Sequence, residues 1–570
     1  MVNVNIDGQQ VQVEEGTTIL KAAEKASIKI PTLCYEEELS VYGGCRLCVV
    51  EIKGESLLQP ACATEVTDDM VIKTHSPKVR KARKTLFELI IAAHNIDCQL
   101  NCLTCSRADS CELREVAEDI GISEVRLNPT EVIHPEDHSS HAIVREPTKC
   151  ITCGRCIRKC EEIQGIGIFT MANRGPRTIV TTFGDKGMGN VECTNCGQCI
   201  HSCPTGALHE VYHYEKVWEK LHDESKHVIV QTAPATRVAI AEPFGAQPGE
   251  IATGQMVEAL RRLGFDKVFD TNFTADLTIM EEGTELIKRI EADEKLPMFT
   301  SCSPGWIKFI EHFYPEYLEH LSSCKSPQQM FGALANSYYL ENNDIDKKDL
   351  VVVSIMPCTA KKFEAQRPEM AGDVDYVLTT RELARMIKSA GIDLLNLPES
   401  KHDNLMGVSS GAGDIFGATG GVMEAALRTA YELITESELE DLDIEQVRGI
   451  DGLKEAEVEI NGMVVRAAVA HGLGNARKLM EMIKEGKKYH FVEFMACPGG
   501  CIGGGGQPVP TNKETIKRRI DSIYEIDRSK KVRKSHENPY IQKLYDEYLE
   551  YPGSHKAHEL LHTEYVVRGV

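Results

Sequence analysis

Cysteine is the residue type best suited to chemistry in this chain, because 20 of its 21 cysteines fall into five groups of four. Four thiolates are the usual ligand set of an iron–sulfur cluster. Disulfides are disfavoured, since C-x2-C spacings repeat and no export signal precedes them. A zinc site would explain a single C-x2-C pair but not two C-x2-C-x2-C-x3-C runs in tandem. The cysteines therefore predict iron–sulfur clusters and a protein that moves single electrons.

The two tandem runs span residues 150–160 and 193–203, the first followed by Glu161 and the second by Pro204. Their spacing is that of bacterial two-cluster ferredoxins, in which the fourth cysteine of each run ligates the other cluster. We therefore expect a ferredoxin domain at residues 141–212. One predicted [4Fe–4S] cluster takes Cys150, Cys153, Cys156 and Cys203, and the other takes Cys193, Cys196, Cys199 and Cys160.

Residues 1–77 have the pattern of short strands around one helix. Their cysteines follow the spacing C-x10-C-x2-C-x13-C, at Cys34, Cys45, Cys48 and Cys62. Gly43-Gly44 would let the backbone approach an inorganic sulfide. This segment resembles the plant-type [2Fe–2S] ferredoxins of the β-grasp fold, which implies one [2Fe–2S] cluster.

Composition limits the classes of protein this chain can belong to. At 570 residues it is too long for one hydrophobic core, and three or four domains are expected. No signal peptide pattern opens it and no apolar run is long enough to span a bilayer, so a cytosolic protein is expected. A net charge of −22 argues against nucleic acids and anionic membranes as partners.

Residues 78–125 are expected to form a small helical domain with a third kind of cluster site. After a basic amphipathic helix comes the pattern H-x3-C-x3-C-x2-C-x5-C, formed by His94, Cys98, Cys102, Cys105 and Cys111. It resembles a [4Fe–4S] site with one His and three Cys ligands, shared by iron hydrogenases and the large cluster-bearing subunit of respiratory complex I. In that site the His stands four positions before the first Cys, and here Cys98 occupies that position. Cys98 is therefore favoured as the fourth ligand, and His94 stays the alternative.

From about residue 225 to residue 570, strand patterns alternate with helical ones. This alternation predicts an α/β domain in two lobes with mostly parallel strands. The whole chain is thus expected to be multidomain, α+β at its N-terminus and α/β beyond. Motifs that follow such strands belong in the crevice where ligands bind.

Three segments of this domain carry further cysteines: residues 300–306 (TSCSPGW), 356–364 (MPCTAKKFE) and 493–508 (EFMACPGGCIGGGGQP). Together they resemble the signature segments of [FeFe]-hydrogenases, TSCCPxW, MPCxxKxxE and ExMACxxGCxxGGGxP. The modular N-terminus is similar to that of clostridial-type members, so the resemblance covers essentially the whole chain. It implies an H-cluster, in which a [4Fe–4S] cubane is joined through one cysteine to a two-iron centre with CO, cyanide and azadithiolate ligands.

The resemblance also implies roles for individual residues. Cys358 and Cys497 would ligate the cubane, and Cys501 would bridge it to the two-iron centre. Lys361 would donate a charge-assisted hydrogen bond to a cyanide. Glycines 499–500 and 503–506 would let the backbone wrap the cofactor. Further cofactor contacts would come from Ala233, Pro234, Gln328, Met356 and Met495, the two methionines as soft apolar walls.

The first segment departs from the family pattern. Where the family has Cys-Cys-Pro, with a proton-relaying Cys before a cubane-ligating one, this chain has Cys302-Ser303-Pro304. Either Cys302 is the relay and Ser303 stands at the ligand position, or the turn shifts so that Cys302 ligates and Ser303 relays. An alkoxide is a poor ligand near neutral pH, because a serine hydroxyl gives up its proton far less readily than a thiol of pKa about 8.5. The sequence leaves both alternatives open.

A proton route out of a buried site needs a chain of titratable groups. By position, Glu282, Ser322 and Glu285 match the family's route. Cys324 belongs to no group of four and is expected to pack as a small apolar residue.

The implied activity is the reversible combination of protons and electrons to H2, with the accessory clusters carrying electrons to outside partners. No dinucleotide fingerprint occurs, since the glycines at 503–506 follow cluster ligands. If NAD takes part, a flavin- and NAD-binding partner subunit must hold it. We therefore expect the catalytic subunit of a hetero-oligomer that bifurcates electrons between NAD and ferredoxin. The alternatives are a stand-alone ferredoxin-dependent hydrogenase, a non-catalytic complex I-like electron carrier and a sensory relative of low turnover.

Overall fold

The computed structural model describes residues 1–94, 102, 105, 107–122, 124–127, 134–370, 372–404, 407–439, 441–460 and 462–568. Cys98 lies outside these residues. The described chain is a multidomain α+β protein, as predicted, in which small N-terminal domains precede a larger α/β domain. Across the described ranges, no helix is long and apolar enough to cross a membrane.

The N-terminal domain is one five-stranded sheet, in the order β2-β1-β5-β3-β4, with a helix at Ile19–Lys25. Its strands are β1 (Val2–Ile6), β2 (Gln9–Val13), β3 (Val49–Ile52), β4 (Gln59–Pro60) and β5 (Val71–Lys73). The alternation of apolar and polar residues in β1 and β2 buries Val4, Ile6, Val11 and Val13 on one face, as the period of a strand requires. Strands and helix surround the loops that carry the first four cysteines.

The next segment holds helices at Pro77–Ala93 and Glu112–Asp119. Ser76 caps the first helix by accepting a hydrogen bond from the amide of Val79. That helix ends at Ala93, because His94 is extended (φ −93°, ψ 133°). His94 therefore stands at the end of the helix rather than on one of its faces.

The ferredoxin-like domain is an internal repeat. Strands β6 (Ile143–Arg145) and β9 (Leu208–Glu210) pair antiparallel, as do β7 (Phe169–Ala172) and β8 (Ile179–Thr182). Each cysteine run winds through a glycine with positive φ, Gly154 (69°) and Gly197 (71°), into a short helix at Arg155–Arg158 or Gln198–Ser202. A left-handed backbone suits glycine, so the two runs make equivalent turns around the predicted cluster positions.

The α/β domain contains two four-stranded sheets, which form its two lobes. The first has the order β11-β10-β13-β14, all parallel, from β10 (His227–Thr232), β11 (Lys267–Asp270), β13 (Leu350–Met356) and β14 (Tyr376–Thr379). The second has the order β12-β17-β16-β15, from β12 (Met298–Phe299), β15 (Leu453–Ile460), β16 (Met463–His471) and β17 (Phe491–Met495). Only the β15–β16 hairpin among these pairs is antiparallel.

Helices cover these sheets and complete the domain. Those before the third motif span Tyr214–Leu221, Thr253–Leu263, Thr271–Ala292, Pro304–Phe313, Pro327–Leu334, Leu340–Asn343, Ala360–Glu364, Thr380–Ser389, Gly411–Ile415, Gly421–Thr435 and Leu473–Lys484. Three more, at Lys513–Ser529, Pro539–Leu544 and His555–Leu561, follow that motif. The C-terminal helices pack on the first lobe, where Tyr545 and Leu561 share a core with Phe331.

Candidate active site

The three cysteine motifs of the α/β domain all follow strand ends. β13 leads into Pro357-Cys358, β17 into Ala496-Cys497, and β12 into residues 300–303. β10 ends just before Ala233-Pro234. Since β13 and β17 belong to different sheets, the motifs meet in the crevice between the two lobes, as expected for an α/β domain.

A cavity of about 810 Å³, counting the part open to solvent, lies between these strand ends. The predicted site residues that line it are Cys196, Ala233, Pro234, Cys302, Ser303, Gln328, Met356, Cys358, Lys361, Met495, Cys497 and Cys501. Thr271, Ala275 and Phe416 also line it and were not singled out from the sequence. Phe416 lies in the glycine-rich segment 411–421 (GAGDIFGATGG), whose composition was the available signal.

The thiols in this cavity suit a metal cluster. Burial raises the pKa of Cys501 to about 12, with a further contribution from the Cys358 thiol. Burial and the nearby Cys358 and Cys196 thiols hold the pKa of Cys497 well above its usual range. Bare thiolates would be costly in such a site, and bound iron is what stabilises them. Every described cysteine of the chain is a free thiol, so these residues fit the cluster that the motifs imply.

Cys302 and Ser303 face different neighbours. Burial holds the pKa of the Cys302 thiol well above its usual range, and Glu282 raises it further, followed by the Cys501 thiol. The Ser303 hydroxyl oxygen accepts a 3.2 Å hydrogen bond from the amide of Ala496, the residue before Cys497. Cys302 thus lies toward the predicted proton route, and Ser303 toward the predicted cubane ligands.

Lys361 is held at the cavity by a buried carboxylate. Its ammonium donates to Glu364 at 2.8 Å and to the carbonyl oxygen of Cys302 at 3.1 Å. Glu364 also accepts from Ser326 at 3.0 Å and from the side-chain amide of Gln328 at 3.1 Å. Within the described residues, the buried carbonyl oxygen of the Gln328 side chain has no hydrogen-bond partner. The ammonium group is therefore positioned beside the cavity rather than free in solvent.

The glycines of the third motif pack against the protein's own backbone. A Cβ at Gly504 would lie 2.2 Å from the carbonyl oxygen of Pro357, and one at Gly505 would lie 2.3 Å from that of Cys196. Gly500 has φ +87°, and its Cβ would lie 2.8 Å from the amide of Thr419. These contacts show that the approach of backbone segments already requires glycine at these positions, whereas the close wrapping of the cofactor stays a prediction.

The predicted proton-route residues lie side by side behind Cys302. Glu282 is 2% exposed, and burial raises its pKa to about 8, with a further contribution from Glu285. Ser322 is fully buried next to Glu282, and its hydroxyl donates to Glu285 at 3.1 Å. A carboxyl group with a pKa near neutrality is suited to both accepting and releasing protons.

The N-terminal cysteine groups are also assembled. Cys48 and Cys62 bring their sulfurs within 3.4 Å, and the amide of Cys45 donates to the sulfur of Cys34 at 3.4 Å. This domain docks on the ferredoxin-like domain, where Arg158 donates to the carbonyl oxygen of Cys34 at 2.7 Å. Sulfurs from distant loops are therefore close enough to share one small cluster.

His94 is 1% exposed at the end of its helix. Neither ring nitrogen has a hydrogen-bond partner of ordinary geometry among the described residues, and the backbone of Cys150 is the polar group nearby. Burial lowers the pKa of His94 to about 4, so the ring is neutral. Cys105 packs against Gly206 of the ferredoxin-like domain, where a Cβ would lie 3.2 Å from its sulfur.

The second run of the ferredoxin-like domain lies directly on the cavity. Cys196 lines it, and the sulfur of Cys497 lies 3.7 Å from the carbonyl oxygen of Cys196. Thr359 donates to the carbonyl oxygen of Asn195 at 2.7 Å. The cysteine-bearing loops therefore follow one another from the N-terminal domain to the cavity.

Family models match along the chain: a 2Fe-2S iron-sulfur cluster binding domain at residues 1–77, the NADH-ubiquinone oxidoreductase-G iron-sulfur binding region at 83–126, and the ferredoxin-like domain of NADH-quinone oxidoreductase subunit 3 at 140–209. The iron only hydrogenase large subunit, C-terminal domain, matches residues 226–505. The iron hydrogenase small subunit matches residues 513–568.

Among relatives, the NADP-reducing hydrogenase subunit HndD of Solidesulfovibrio fructosivorans is 49% identical over 100% of this chain and 99% of its own. Iron hydrogenase 1 of Clostridium pasteurianum is 43% identical over 99% of this chain and 100% of its own. A solved structure of a variant of the apo [FeFe]-hydrogenase HydA1 from Chlamydomonas reinhardtii is 49% identical, with a TM-score of 0.57 over 63% of this chain and 100% of that one. The motifs, the cavity and these full-length relatives agree, and the chain belongs to the [FeFe]-hydrogenases, as an iron hydrogenase with accessory iron–sulfur domains.

Proposed function

We propose that this hydrogenase is the catalytic subunit of a hetero-oligomer that exchanges electrons between H2, a nicotinamide nucleotide and ferredoxin. The observation that carries this proposal is the 49% identity, over the full chain, to a protein named as a subunit of an NADP-reducing hydrogenase. The complex I-like segments at 83–126 and 140–209 support it, since they are modules of an NADH-oxidising assembly. Because the sequence has no dinucleotide fingerprint, a flavin- and NAD-binding partner subunit would bind the nicotinamide nucleotide.

The alternative is a stand-alone ferredoxin-dependent hydrogenase, which is supported by the 43% identity to Iron hydrogenase 1, a protein not named as a subunit. Anaerobic affinity purification from the native cell separates the two. We expect flavin-containing subunits to copurify, and H2-dependent reduction of NAD or NADP by the purified complex but not by the isolated chain. An isolated chain that reduces ferredoxin at the rate of the native preparation, with no copurifying subunit, would support the alternative.

We propose one [2Fe–2S] cluster, three accessory [4Fe–4S] clusters and the H-cluster, within domains at 1–77, 78–125, 141–212 and 225–570. The [2Fe–2S] cluster would take the first four cysteines. The ferredoxin-like clusters would exchange fourth ligands, Cys203 and Cys160, between the two runs. The contact of Cys196 with the cavity supports the second run as the last accessory cluster before the H-cluster.

For the remaining accessory cluster, we propose His94 with Cys102, Cys105 and Cys111. A buried imidazole without hydrogen-bond partners is costly, and coordination of iron by one ring nitrogen would remove that cost. A neutral ring is also the form that binds metals, and the lowered pKa of His94 favours it. This choice replaces the preference for Cys98 that counting positions gave, and it implies that the chain between His94 and Cys102 carries four additional residues.

In the active site, we propose that Cys302 relays protons and that Ser303 stands at the position of the fourth cubane ligand. The position of Cys302 beside Glu282 supports this choice, as does the hydrogen bond from the Ala496 amide to Ser303. Cys358 and Cys497 would ligate the cubane, and Cys501 would bridge the two halves of the cluster. When bound, the H-cluster supplies the redox iron centre at which two protons and two electrons combine to H2 or H2 is split.

The chain's own side chains hold and move the protons. The Cys302 thiol would exchange its proton with Glu282, which passes it through the Ser322 hydroxyl to Glu285. Each step joins groups that can both accept and donate a proton. Lys361 would donate to a cyanide ligand, held in place by Glu364. Met356 and Met495 would exclude water as apolar walls, with Ala233, Pro234 and Gln328 completing the cofactor contacts.

A further inference from the structure

Glu285, the outermost residue of the proposed route, has a side chain that is 17% exposed, and few of the side chains bonded to it can take up a proton. One carboxylate oxygen accepts from Arg289 at 2.6 Å, and a guanidinium cannot accept a proton. The other oxygen accepts a 3.1 Å hydrogen bond from the Ser322 hydroxyl, and Ser322 lies on the inward side of the route. It also lies 3.1 Å from the hydroxyl of Ser323. Among the described side chains bonded to Glu285, Ser323 is therefore the outward proton acceptor.

The Ser323 hydroxyl lies 2.8 Å from Nδ1 of His562, a residue of the C-terminal segment. Backbone hydrogen bonds fix this pairing on both sides. The amide of Thr563 donates to the carbonyl oxygen of Ser323 at 2.8 Å, and the amide of Lys325 donates to that of Leu561 at 2.7 Å. The imidazole is thus held against Ser323 by the fold and not only by its own hydrogen bond.

The second ring nitrogen of His562 lies 2.9 Å from a carboxylate oxygen of Glu281. Glu281 also accepts from the hydroxyl of Tyr545 and, at 2.8 Å, from the amide of Gly553. An ionised carboxylate only accepts hydrogen bonds, so Nε2 carries the proton and the Nδ1 lone pair faces Ser323. Glu281 would therefore orient the imidazole and stabilise its cationic form.

We propose that His562 is the outer proton acceptor of the route, reached from Glu285 through Ser323. Protonated Glu285 gives its proton to the Ser323 oxygen as the Ser323 hydroxyl proton moves to Nδ1 of His562. The carboxylate of Glu285 and an imidazolium at His562 result, and the reverse sequence delivers protons for H2 formation. The inference rests on the proposed route through Glu282 and Glu285.

The surroundings of His562 suit an exit point. Its side chain is 5% exposed, and its ring stacks on the exposed ring of His558 at 4.7 Å between centroids. The sulfur of Cys324 lies within 4.8 Å of ligand atoms of both Glu285 and His562. Burial holds the pKa of that thiol well above its usual range, so it adds no charge. Among the described residues, the charged and titratable groups at His562 are thus Glu281, Glu285, Cys324 and His558, with Tyr545 bonded to Glu281.

The test compares matured His562→Gln and His562→Ala with the wild type in H2 oxidation across pH. We expect turnover to fall by about 10- to 100-fold, less than the about 10²–10⁴-fold of a general acid–base group at the reacting atoms. The infrared bands of the CO and cyanide ligands should be unchanged, because His562 is remote from the cavity. Glutamine cannot be protonated, so the pH profile should change shape. Added imidazole should restore turnover to His562→Ala, which a purely structural role would not explain.

Glu281→Gln leaves the imidazole in place but removes its carboxylate partner, so it should shift the pH profile without the full loss of rate. Glu281→Gln also tests the proposal if His562→Ala does not fold. The exposed His555, at the start of the helix that ends just before His562, provides a matched control, and His555→Ala should behave as wild type.

Glu285→Ala separates this inference from the route on which it rests. If Glu285→Ala loses turnover while both His562 variants keep the wild-type rate and pH profile, protons leave Glu285 directly to water and the role of His562 is rejected. If Glu285→Ala also keeps full turnover, the proposed route itself is wrong, and the inference fails with it.

Discussion

The side-chain amide of Gln198 donates a 2.8 Å hydrogen bond to the carbonyl oxygen of Gly503, joining the ferredoxin-like domain to the glycine run of the third motif. Gly505 presses on the same loop, since a Cβ there would lie 2.3 Å from the carbonyl oxygen of Cys196. The loop that carries Cys196, a proposed accessory cluster ligand, and the wall of the cavity are therefore in direct backbone contact. Any widening of this contact would lengthen the step by which electrons reach the active site.

Gly505→Ala should widen that contact. The added Cβ has no free space, and overpacking of this kind costs about 1–3 kcal/mol. We expect a lower Tm and slower H2-dependent reduction of an external acceptor. Exchange between D2 and water protons should persist, because it needs no electrons from the accessory clusters.

Gly283→Ala is the matched control for this substitution, because nothing lies within 4 Å of its added Cβ and the residue is helical. It should leave both activities intact. Equal loss of exchange and of acceptor reduction in Gly505→Ala would mean that the contact supports the cavity itself rather than electron delivery.

Cys302 and Ser303 can be assigned by paired substitutions. If Cys302 relays protons, Cys302→Ala should keep the infrared bands of the CO and cyanide ligands while turnover falls by about 10²–10⁴-fold. Ser303→Cys should then restore the Cys-Cys-Pro pattern of the family, and the H-cluster should remain bound. A Cys302→Ala protein that loses the bands would instead identify Cys302 as a cubane ligand, and one that keeps full activity would remove Cys302 from the mechanism.

Glu282 is expected to support turnover at a cost in stability. Burial raises its pKa to about 8, against about 4.3 for an exposed glutamate, so between these pH values the native state holds a proton that the unfolded chain has released. Its contribution to stability is therefore fully present below about pH 4.3 and is lost as the pH rises to about 8. Glu282→Gln should remove this pH-dependent loss of stability.

The Tm of Glu282→Gln should therefore exceed that of the wild type by a margin that grows from pH 5 to about pH 8, while turnover falls by about 10²–10⁴-fold. Thermal unfolding and H2 oxidation across this pH range measure both effects. Glu285→Gln, a substitution at a half-buried position, is the control for the thermal unfolding measurement. A margin that does not change with pH would show that Glu282 does not carry the raised pKa.

The fourth ligand of the second cluster is open to a spectroscopic test. We expect His94→Ala to alter the EPR signal of one accessory [4Fe–4S] cluster and to lower the iron content below about 20 per chain, the total for the proposed clusters. Cys98→Ala should leave that signal unchanged. The opposite result would return the assignment to Cys98, and two silent variants would mean that neither residue is the ligand.

The sequence by itself determined the chemistry of this protein, because ligand type and local spacing are properties of short segments. The two C-x2-C-x2-C-x3-C runs and the motifs at 300–306, 356–364 and 493–508 were sufficient to predict clusters and an [FeFe]-hydrogenase, and the comparisons confirm that family. Alternating strands and helices likewise predicted the α/β domain. Each of these signals lies within a few turns or strands of the chain.

The tertiary structure decided what depends on residues far apart in sequence. Only packing shows that Cys302 faces Glu282, that the glycines of the third motif touch Pro357 and Cys196, and that His94 is buried without a partner among the described residues. Ser323 and His562 are 239 positions apart, and their 2.8 Å contact exists because the C-terminal segment folds back onto the first lobe. A sequence pattern does not show which distant residue completes a buried polar contact, because the packing of the surrounding core positions that residue.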